Sequence, residues 1–170
     1  MDCSQIIRAR RSVRKYKAGQ PVPQADIEKM LEAAMMAPSA RNLRPWEFFV
    51  VEDPVLKDKL RQAHPFASML GSAPVAILVC ALPDVQKGVC EGMFPLDCGA
   101  AIENLLLQAV ELGYGTCWCG CWPHEDRARA IQDLMGIQSL PVGLVAVGVP
   151  DEDPKARGFY DPAKVTWLRG

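Results

Sequence analysis

A single globular domain of alternating helices and strands is predicted by three observations. The chain has 170 residues, of which 49% are hydrophobic and 23% charged, and a domain of roughly 150 residues buries about 70% of its unfolded surface. Segments with the apolar spacing of amphipathic helices alternate with short apolar runs that are typical of buried strands. No internal repeat and no low-complexity tract interrupts this alternation. The pattern is compatible with more than one mixed architecture.

The first half of the chain is predicted to form three helices and two strands. In the second helix, apolar residues recur at i, i+3, i+4, i+7 and i+8 from Ile27 onwards, which is the buried stripe of an amphipathic helix. In the third, Asp53 and Pro54 provide an N-cap and a first helical residue. The predicted elements are a helix from Ser4 to about Arg11, a helix from Ile27 to Met35 that ends before Pro38, a strand from Glu47 to Val51, a helix from Asp53 to about Ala63, and a buried strand from Ala73 to Ala81.

The second half is predicted to contain the longest helix of the chain. This helix runs from Asp97, taken as its N-cap, to Leu112, and Gly113 ends it as a C′ glycine. Its apolar residues nearly encircle the axis, which places it at a domain centre or at a subunit interface. The remaining elements are an extended segment from Tyr114 to Cys121, a helix bracketed by Pro123 and Gly136, a strand from Val142 to Val149, and a C-terminal arm over residues 151–170.

Charge and hydropathy exclude several classes of partner. The net charge of −1 and a pI of about 6.1 give no overall field toward nucleic acid or anionic lipid. The first twenty residues carry charges where a secretory signal needs an apolar stretch. The longest apolar run, Ala73 to Leu82, is about half of the roughly 20 residues that span a bilayer. We therefore expect a cytoplasmic protein without nucleic-acid or membrane partners.

The seven cysteines are an odd number, and without a secretory signal they do not favour a disulfide framework. Cys117, Cys119 and Cys121 alternate, with His124 just beyond, so they share one face if the segment is extended. Structural zinc sites usually separate paired cysteines by two to four residues and need a fourth ligand. Packed or redox-sensitive thiols are therefore favoured over a metal site, and no metal is expected.

Basic residues are concentrated near the amino end, where residues 8–17 include six of the nineteen in the chain. Arg10, Ser12 and Arg14 alternate, so in an extended chain two guanidinium groups and a hydroxyl would point to one side, an arrangement that suits a phosphate. A solvated charged face, or cations gathered at a helix C-terminus, explains the same pattern. The six residues are Arg8, Arg10, Arg11, Arg14, Lys15 and Lys17.

A polar link between helix and strand is the second candidate for ligand binding. Ser39 and Asn42 lie in the segment from Ala37 to Val51, just after Pro38 stops the preceding helix. Asn42 offers both a donor and an acceptor, the pairing that the edge of a heterocyclic ring requires. Turn and capping chemistry is the alternative explanation.

Four segments, in this order, resemble the nitroreductase family of flavoproteins, and the resemblance covers nearly the whole chain. They are RRSVR at Arg10 to Arg14, PSARNLRPW at Pro38 to Trp46, ELGYGTCWCG at Glu111 to Gly120, and PKAR at Pro154 to Arg157. The resemblance implies a three-layer α+β fold, with a mixed and mostly antiparallel sheet between helices, in an intertwined homodimer that binds FMN.

The resemblance also implies a role for each motif residue. Arg14 would face N1 and the C2 carbonyl of the flavin, where a fixed cation stabilises the negative charge of the reduced ring. Arg44 stands where the family commonly has glutamine, which would alter the charge of the pocket. The phosphate and ribityl contacts would be Arg10, Arg11, Ser12, Lys155 and Arg157; contacts made from the partner chain would be Pro38, Ser39, Ala40, Asn42 and Arg44; Thr116 and Cys117 would pass beside the ring; and backbone donors toward N5 would lie near Gly120 and Cys121.

The implied activity is ping-pong hydride transfer from NAD(P)H through the flavin to a small organic acceptor, such as a nitroaromatic or a quinone. No G-x-G-x-x-G, Walker A or G-x-S-x-G sequence is present, so a separate dinucleotide domain is not expected. His64 and His124 are expected to be structural or exposed. The alternatives are a same-fold dehalogenase or flavin-modifying enzyme, a non-catalytic flavin-binding protein, and a cysteine-based metal protein.

Overall fold

A four-stranded antiparallel sheet between two helical layers forms the body of the protein. The computed structural model describes residues 1–169, and the strand order across the sheet is β1-β2-β4-β3. The strands are β1 (Trp46–Val51), β2 (Val75–Ala81), β3 (Gly115–Gly120) and β4 (Leu140–Gly148), and the helices are α1 (Cys3–Ala9), α2 (Gln24–Met35), α3 (Pro54–Ala63), α4 (Phe94–Glu111) and α5 (Glu125–Met135). Short 3₁₀ turns lie at Ala40–Asn42, Ser68–Gly71, Pro83–Gln86 and Pro162–Lys164.

The alternation of side chains along the strands explains the three layers. All seven residues of β2 are buried, as expected for a central strand covered on both faces. Ile77 and Val79 pack on one face with α2 and α4, whereas Leu78 and Cys80 pack on the other face with α3 and α5. The predicted three-layer α+β fold is confirmed.

The sheet is mostly antiparallel, as predicted, and its parallel component is small. All three strand pairs of the four-stranded sheet are antiparallel. A parallel bridge joins Ser12 to Thr116, next to the outer edge of β3. The chain that follows α1 therefore extends along the edge strand, which matters for the site described below.

The helix α4 lies at the centre of one helical layer and begins earlier than predicted. The prediction of Asp97 as its N-cap is wrong, because the amide of Asp97 already bonds to the carbonyl of Met93 inside the helix, at 3.1 Å. Pro95 in the first turn needs no hydrogen-bond acceptor, so it allows the earlier start. The buried Asp97 carboxylate instead accepts bonds from the amide of Ala40 at 3.0 Å and from the side chain of Gln86 at 2.6 Å.

Element ends otherwise differ from the predictions by at most three residues, and the largest difference is at α2, which begins at Gln24 rather than Ile27. The helix α1 ends at Ala9 rather than near Arg11, because Arg10 leaves helical geometry with a ψ of 126°. Gly113, with a φ of +86°, follows α4 as predicted, and Gly136, with a φ of +65°, ends α5. Glycine adopts this left-handed backbone at low cost because it has no Cβ atom.

The residues after β4 carry large exposed apolar side chains. Within residues 151–169, Phe159, Tyr160, Trp167 and Leu168 expose 70–93% of their surface. Among residues 1–169, no helix combines the length and the apolar character needed to cross a membrane. The apolar side chains of this arm lie outside both core clusters of the described chain.

Candidate active site

A cavity of about 490 Å³ opens beside the edge strand β3, on the side of α3 and α5. Its volume lies within the 300–1,000 Å³ range of small-molecule sites. Two arginines and no carboxylate contribute to its lining, so the cavity favours a ligand with negative charge. The lining residues are Arg14, His64, Pro65, Phe66, Ser68, Met69, Cys117, Trp118, Cys119, Gly120 and Arg127.

The strand register directs the backbone of Gly120 away from the sheet. The amide of Cys121 donates to the carbonyl of Val142 at 2.9 Å, and successive residues of an antiparallel strand point their polar groups in opposite directions. The N–H and C=O of Gly120 therefore face the outer edge of β3. Of the two backbone donors predicted near this point, the amide of Cys121 is used within the sheet, and Gly120 alone lines the cavity.

Two side chains from different helices donate to the carbonyl of Gly120. The imidazole Nε2 of His64, at the end of α3, lies 3.0 Å from this oxygen, and a guanidinium nitrogen of Arg127, on α5, lies 2.6 Å from it. The amide of Phe66 donates to the other ring nitrogen, Nδ1, at 3.2 Å. Nδ1 is therefore the acceptor and Nε2 carries the proton.

His64 is neutral in this arrangement. Its side chain is buried, and burial lowers the pKa of the imidazole below its ordinary value, with the positive charge of Arg127 acting in the same direction. The prediction that His64 is structural is supported by these bonds, and His124 is exposed, as expected.

The extended segment after α1 places Arg14 in the cavity. The amide of Val13 donates to the carbonyl of Thr116 at 2.8 Å, and the Glu152 carboxylate accepts the amides of Arg14 and Lys15. The guanidinium group of Arg14 contacts the carbonyl of Ser12 at 3.4 Å. Thr116 itself is buried, and its backbone carbonyl supports this segment.

The basic residues near the amino end are divided between two places, in contrast to the prediction that Arg10, Ser12 and Arg14 point to one side. Arg14 lines the large cavity, whereas Arg10 forms an ion pair with Glu103 of α4 at 3.4 Å. Arg11 lines a second cavity of about 190 Å³ together with Pro154, at the start of the arm.

The late basic pair follows directly after this second cavity. Lys155 and Arg157 are exposed, and neither forms a side-chain hydrogen bond or an ion pair within residues 1–169. Glu152 and Asp153 also line the second cavity, so a phosphate there would need these free cations to balance two carboxylates.

Two of the three alternating thiols line the large cavity. The thiol of Cys119 donates to the carbonyl of Phe66 at 3.3 Å. The neighbouring Cys119 thiol and the charge of Arg14 lower the pKa of Cys117 below its ordinary value, whereas burial raises the pKa of Cys121 to about 12. Cys121 is fully buried and does not line the cavity. Within residues 1–169, no group of three or more histidine, cysteine or acidic side chains is arranged to hold a metal ion.

The polar link after α2 contributes no residue to the lining of either cavity. Asn42 and Arg44 adopt left-handed backbone, with φ values of 56° and 50°, which is uncommon outside glycine and is often found at functional sites. The hydroxyl of Ser39 accepts the amide of Arg44 at 2.9 Å, and the Asn42 side-chain oxygen accepts a guanidinium N–H of Arg44 at 3.2 Å. Pro38, Ser39, Ala40, Asn42 and Arg44 line neither cavity.

His64, Phe66 and Arg127 are site residues that the sequence reasoning missed. The first two follow α3 and the third lies in the first turn of α5. No motif or regular spacing in the sequence connects these three residues, and the tertiary fold alone brings them together.

The fold and the cavity define a three-layer α+β domain with a cavity beside an edge strand, and the lining of this cavity favours an anionic small molecule. The sequence model described as the nitroreductase family matches residues 7–64 and 63–149. The chain therefore belongs to the nitroreductase family, which confirms the resemblance noted in its motifs.

Relatives and solved structures agree with this assignment. A protein of Methanothermobacter thermautotrophicus, provisionally named NADH dehydrogenase/NAD(P)H nitroreductase, is 40% identical over 97% of this chain and 86% of its own. An FMN-dependent nitroreductase from Clostridium difficile is 30% identical, with a TM-score of 0.86 over 97% of this chain and 98% of its own. A provisionally assigned nitroreductase from Desulfovibrio desulfuricans, solved in complex with FMN, is 25% identical, with a TM-score of 0.86 over 98% of this chain and 96% of its own.

Proposed function

We propose that this protein is an FMN-dependent NAD(P)H oxidoreductase that reduces a small organic acceptor, such as a nitroaromatic or a quinone. The observation that carries the proposal is that Arg14 and the outward-facing backbone of Gly120 line one cavity without a carboxylate. Similar proteins named as FMN-dependent, or solved with FMN, support the choice of cofactor.

The residues of the cavity fit a flavin ring. Bound FMN would accept hydride from NAD(P)H and pass it to the acceptor. Arg14 would hold a fixed positive charge beside N1 and the C2 carbonyl, where negative charge develops on reduction. The amide of Gly120 would donate toward N5, and the walls formed by Phe66 and Trp118 would limit the access of water to the ring.

We propose that Arg11 and Ser12 bind the phosphate and ribityl end of the flavin. Arg11 lines the second cavity at the start of the arm, where Lys155 and Arg157 follow as free cations. Arg10 is proposed for the same end, although it would have to share its charge with Glu103, and salt bridges of this exposure are worth about 0–1 kcal/mol. That small energy leaves Arg10 free to exchange its partner for a phosphate.

We further propose that the protein works as a homodimer. The link from Pro38 to Arg44 has left-handed backbone at Asn42 and Arg44 and lines neither cavity of its own chain, which supports contact with the flavin of a partner copy. The exposed apolar side chains of residues 151–169 would lose contact with water in an intertwined assembly. The whole chain is then one domain with a C-terminal arm.

All seven cysteines are free thiols. Thiols that persist without pairing are typical of reducing compartments. This supports the proposed cytoplasmic location of the protein.

The absorbance spectrum of the purified protein tests the proposal. We expect a yellow protein, or an apoprotein that takes up FMN with quenching of flavin fluorescence, and bleaching of the flavin bands by NADH or NADPH. Initial rates for two substrates should give parallel lines, whereas intersecting lines would exclude the alternating scheme. A colourless protein that does not take up FMN would refute the proposal.

The same preparation separates the rival functions. Flavin binding without bleaching would indicate a non-catalytic flavin protein. Analysis of products with halogenated aromatics, and of the flavin itself after turnover, would identify a dehalogenase or a flavin-modifying enzyme of the same fold.

A further inference from the structure

We infer that His64 and Arg127 are positioning residues that hold the flavin-facing end of β3 through the carbonyl of Gly120. This inference rests on the proposed function, because it assigns a role to the two side chains only if a flavin lies against Gly120. It adds two residues that lie outside the four family-like segments and that come from α3 and α5.

The geometry of the two donors supports a clamp on one carbonyl. His64 Nε2 and an Arg127 guanidinium nitrogen approach the Gly120 oxygen to 3.0 Å and 2.6 Å, respectively. A carbonyl oxygen has two lone pairs, so two donors saturate it. Because β3 is an edge strand, no further strand is available to bond this oxygen.

The direction of the His64 donor is fixed by its own contacts. The side chain is 1% exposed, and the amide of Phe66 occupies Nδ1 at 3.2 Å. The ring therefore cannot turn over without losing one bond and leaving a buried nitrogen unsatisfied, which costs about 1–3 kcal/mol. His64 is thus a rigid support and not a mobile proton carrier.

Gly120 is the residue of β3 that most needs such support. Glycine lacks a side chain and has more conformational freedom than any other residue. A methyl group at this position would meet nothing closer than 3.8 Å, so packing does not hold the residue in place. The two bonds to its carbonyl restrict its ψ angle, and they keep the adjoining N–H on the outer edge.

Arg127 adds charge to the position that it holds. Its guanidinium carbon lies 5.7 Å from the centre of the Phe66 ring, and the group lines the same cavity as Arg14. No carboxylate lines that cavity, so the positive charge of Arg127 is free to act on a bound ring. A cation there favours the reduced, more negative state of the flavin, and its removal should make the midpoint potential more negative.

Five variants of the full-length protein, loaded with FMN, test the inference. Arg127→Met and His64→Leu each remove a donor, whereas Arg127→Lys and His64→Gln restore one with a side chain of similar reach. Arg129→Met is the matched control, because Arg129 is an exposed arginine of the same helix that lines neither cavity. The readouts are the FMN dissociation constant, the flavin midpoint potential, and the thermal unfolding midpoint of the apoprotein.

The two positions should differ in their effects. Each donor-removing variant should bind FMN about ten-fold more weakly, the equivalent of about 1.4 kcal/mol for one hydrogen bond. Only Arg127→Met should shift the potential, toward negative values, because His64 is neutral. Arg127→Lys should recover the potential, and His64→Gln should recover the affinity. Arg129→Met should match the wild type in both.

The inference is overturned if folded Arg127→Met and His64→Leu proteins match the Arg129→Met control in affinity and potential. If either donor-removing variant does not fold, the conservative variants decide. Folded Arg127→Lys and His64→Gln proteins with wild-type values support the clamp, and folded proteins with ten-fold weaker FMN binding contradict it. A wild-type protein that fails to bind FMN is a separate result, since it would refute the proposed function itself.

Discussion

The contact between Gly115 and Val13 allows a sharp test of how the segment that carries Arg14 is held. A Cβ atom placed on Gly115 would lie 2.8 Å from both the Cβ and a methyl carbon of Val13, and the amide of Val13 bonds to the carbonyl of Thr116. Ordinary carbon contacts are about 3.5–4.0 Å. Substitution of Gly115 by alanine must therefore push Val13 outward by roughly 1 Å, and the neighbouring Arg14 must move with it.

The expected cost of Gly115→Ala is about 1–3 kcal/mol of unfolding free energy, the usual range for overpacking a buried position. Val13→Ala alone removes two methyl groups and should cost about 2 kcal/mol. In the double variant the contacts with the two methyl carbons are gone and only the contact with the Cβ atom of residue 13 remains, so the combined cost should fall below the sum by more than about 0.5 kcal/mol. Affinity for FMN should fall in Gly115→Ala and recover in part in the double variant.

Urea unfolding and FMN titration measure both effects. Gly99→Ala is the control, because a Cβ atom at that position of α4 has its nearest contact at 3.8 Å, and alanine stabilises a helix by up to about 1 kcal/mol relative to glycine. Additive costs in the double variant, or unchanged FMN affinity in Gly115→Ala, would refute the idea that this glycine sets the position of Arg14.

Three further outcomes follow from the buried polar groups. Because burial lowers the pKa of His64, its neutral form contributes fully to the stability of the fold above about pH 6.5. This contribution is lost as the pH falls through the folded-state pKa. Urea unfolding at several pH values should show the loss of stability in the wild type, and His64→Gln, but not His124→Gln, should reduce that loss. The lowered pKa of Cys117 predicts that iodoacetamide alkylates this thiol at a lower pH than an ordinary cysteine, and that FMN blocks the reaction. Equal labelling with and without FMN, measured by peptide mass spectrometry, would contradict this. Asp97→Asn replaces one acceptor oxygen with an amide nitrogen beside the Gln86 side chain, and it should lower the free energy of unfolding in urea by about 1–3 kcal/mol. Unchanged stability would show that the carboxylate does not anchor the link after α2.

Local patterns in the sequence predict the elements well, because each element has a periodicity or a stop residue of its own. The stripe of α2, the Asp53 and Pro54 start of α3, and the glycines that follow α4 and α5 appear in the structure at or near their predicted places. The error at Asp97 has a physical cause, since an aspartate before an apolar run is a common N-cap. Here the same carboxylate bonds to Ala40 and Gln86, and local pattern cannot predict such tertiary partners.

The site was predictable only where its residues lie in linear motifs. Arg14, Cys117 and Gly120 belong to two of the family-like segments, and the structure brings all three to one cavity. His64 and Arg127 come from separate elements and have no spacing relation to each other. Their convergence on one carbonyl depends on the packing of α3 and α5 against the same face of the sheet.

The edge position of β3 connects the fold to the proposed chemistry. An edge strand presents unpaired N–H and C=O groups that invite pairing with another chain, and proteins usually cover or interrupt them. In this protein Val13 covers the edge at Thr116, and His64 and Arg127 occupy the carbonyl of Gly120. The outward amide of Gly120 is thereby kept in a fixed direction beside a cavity lined by cations. Because this amide pairs with no strand, it is available as a donor to a bound ring. The same contacts that cover the edge strand therefore also position the binding site.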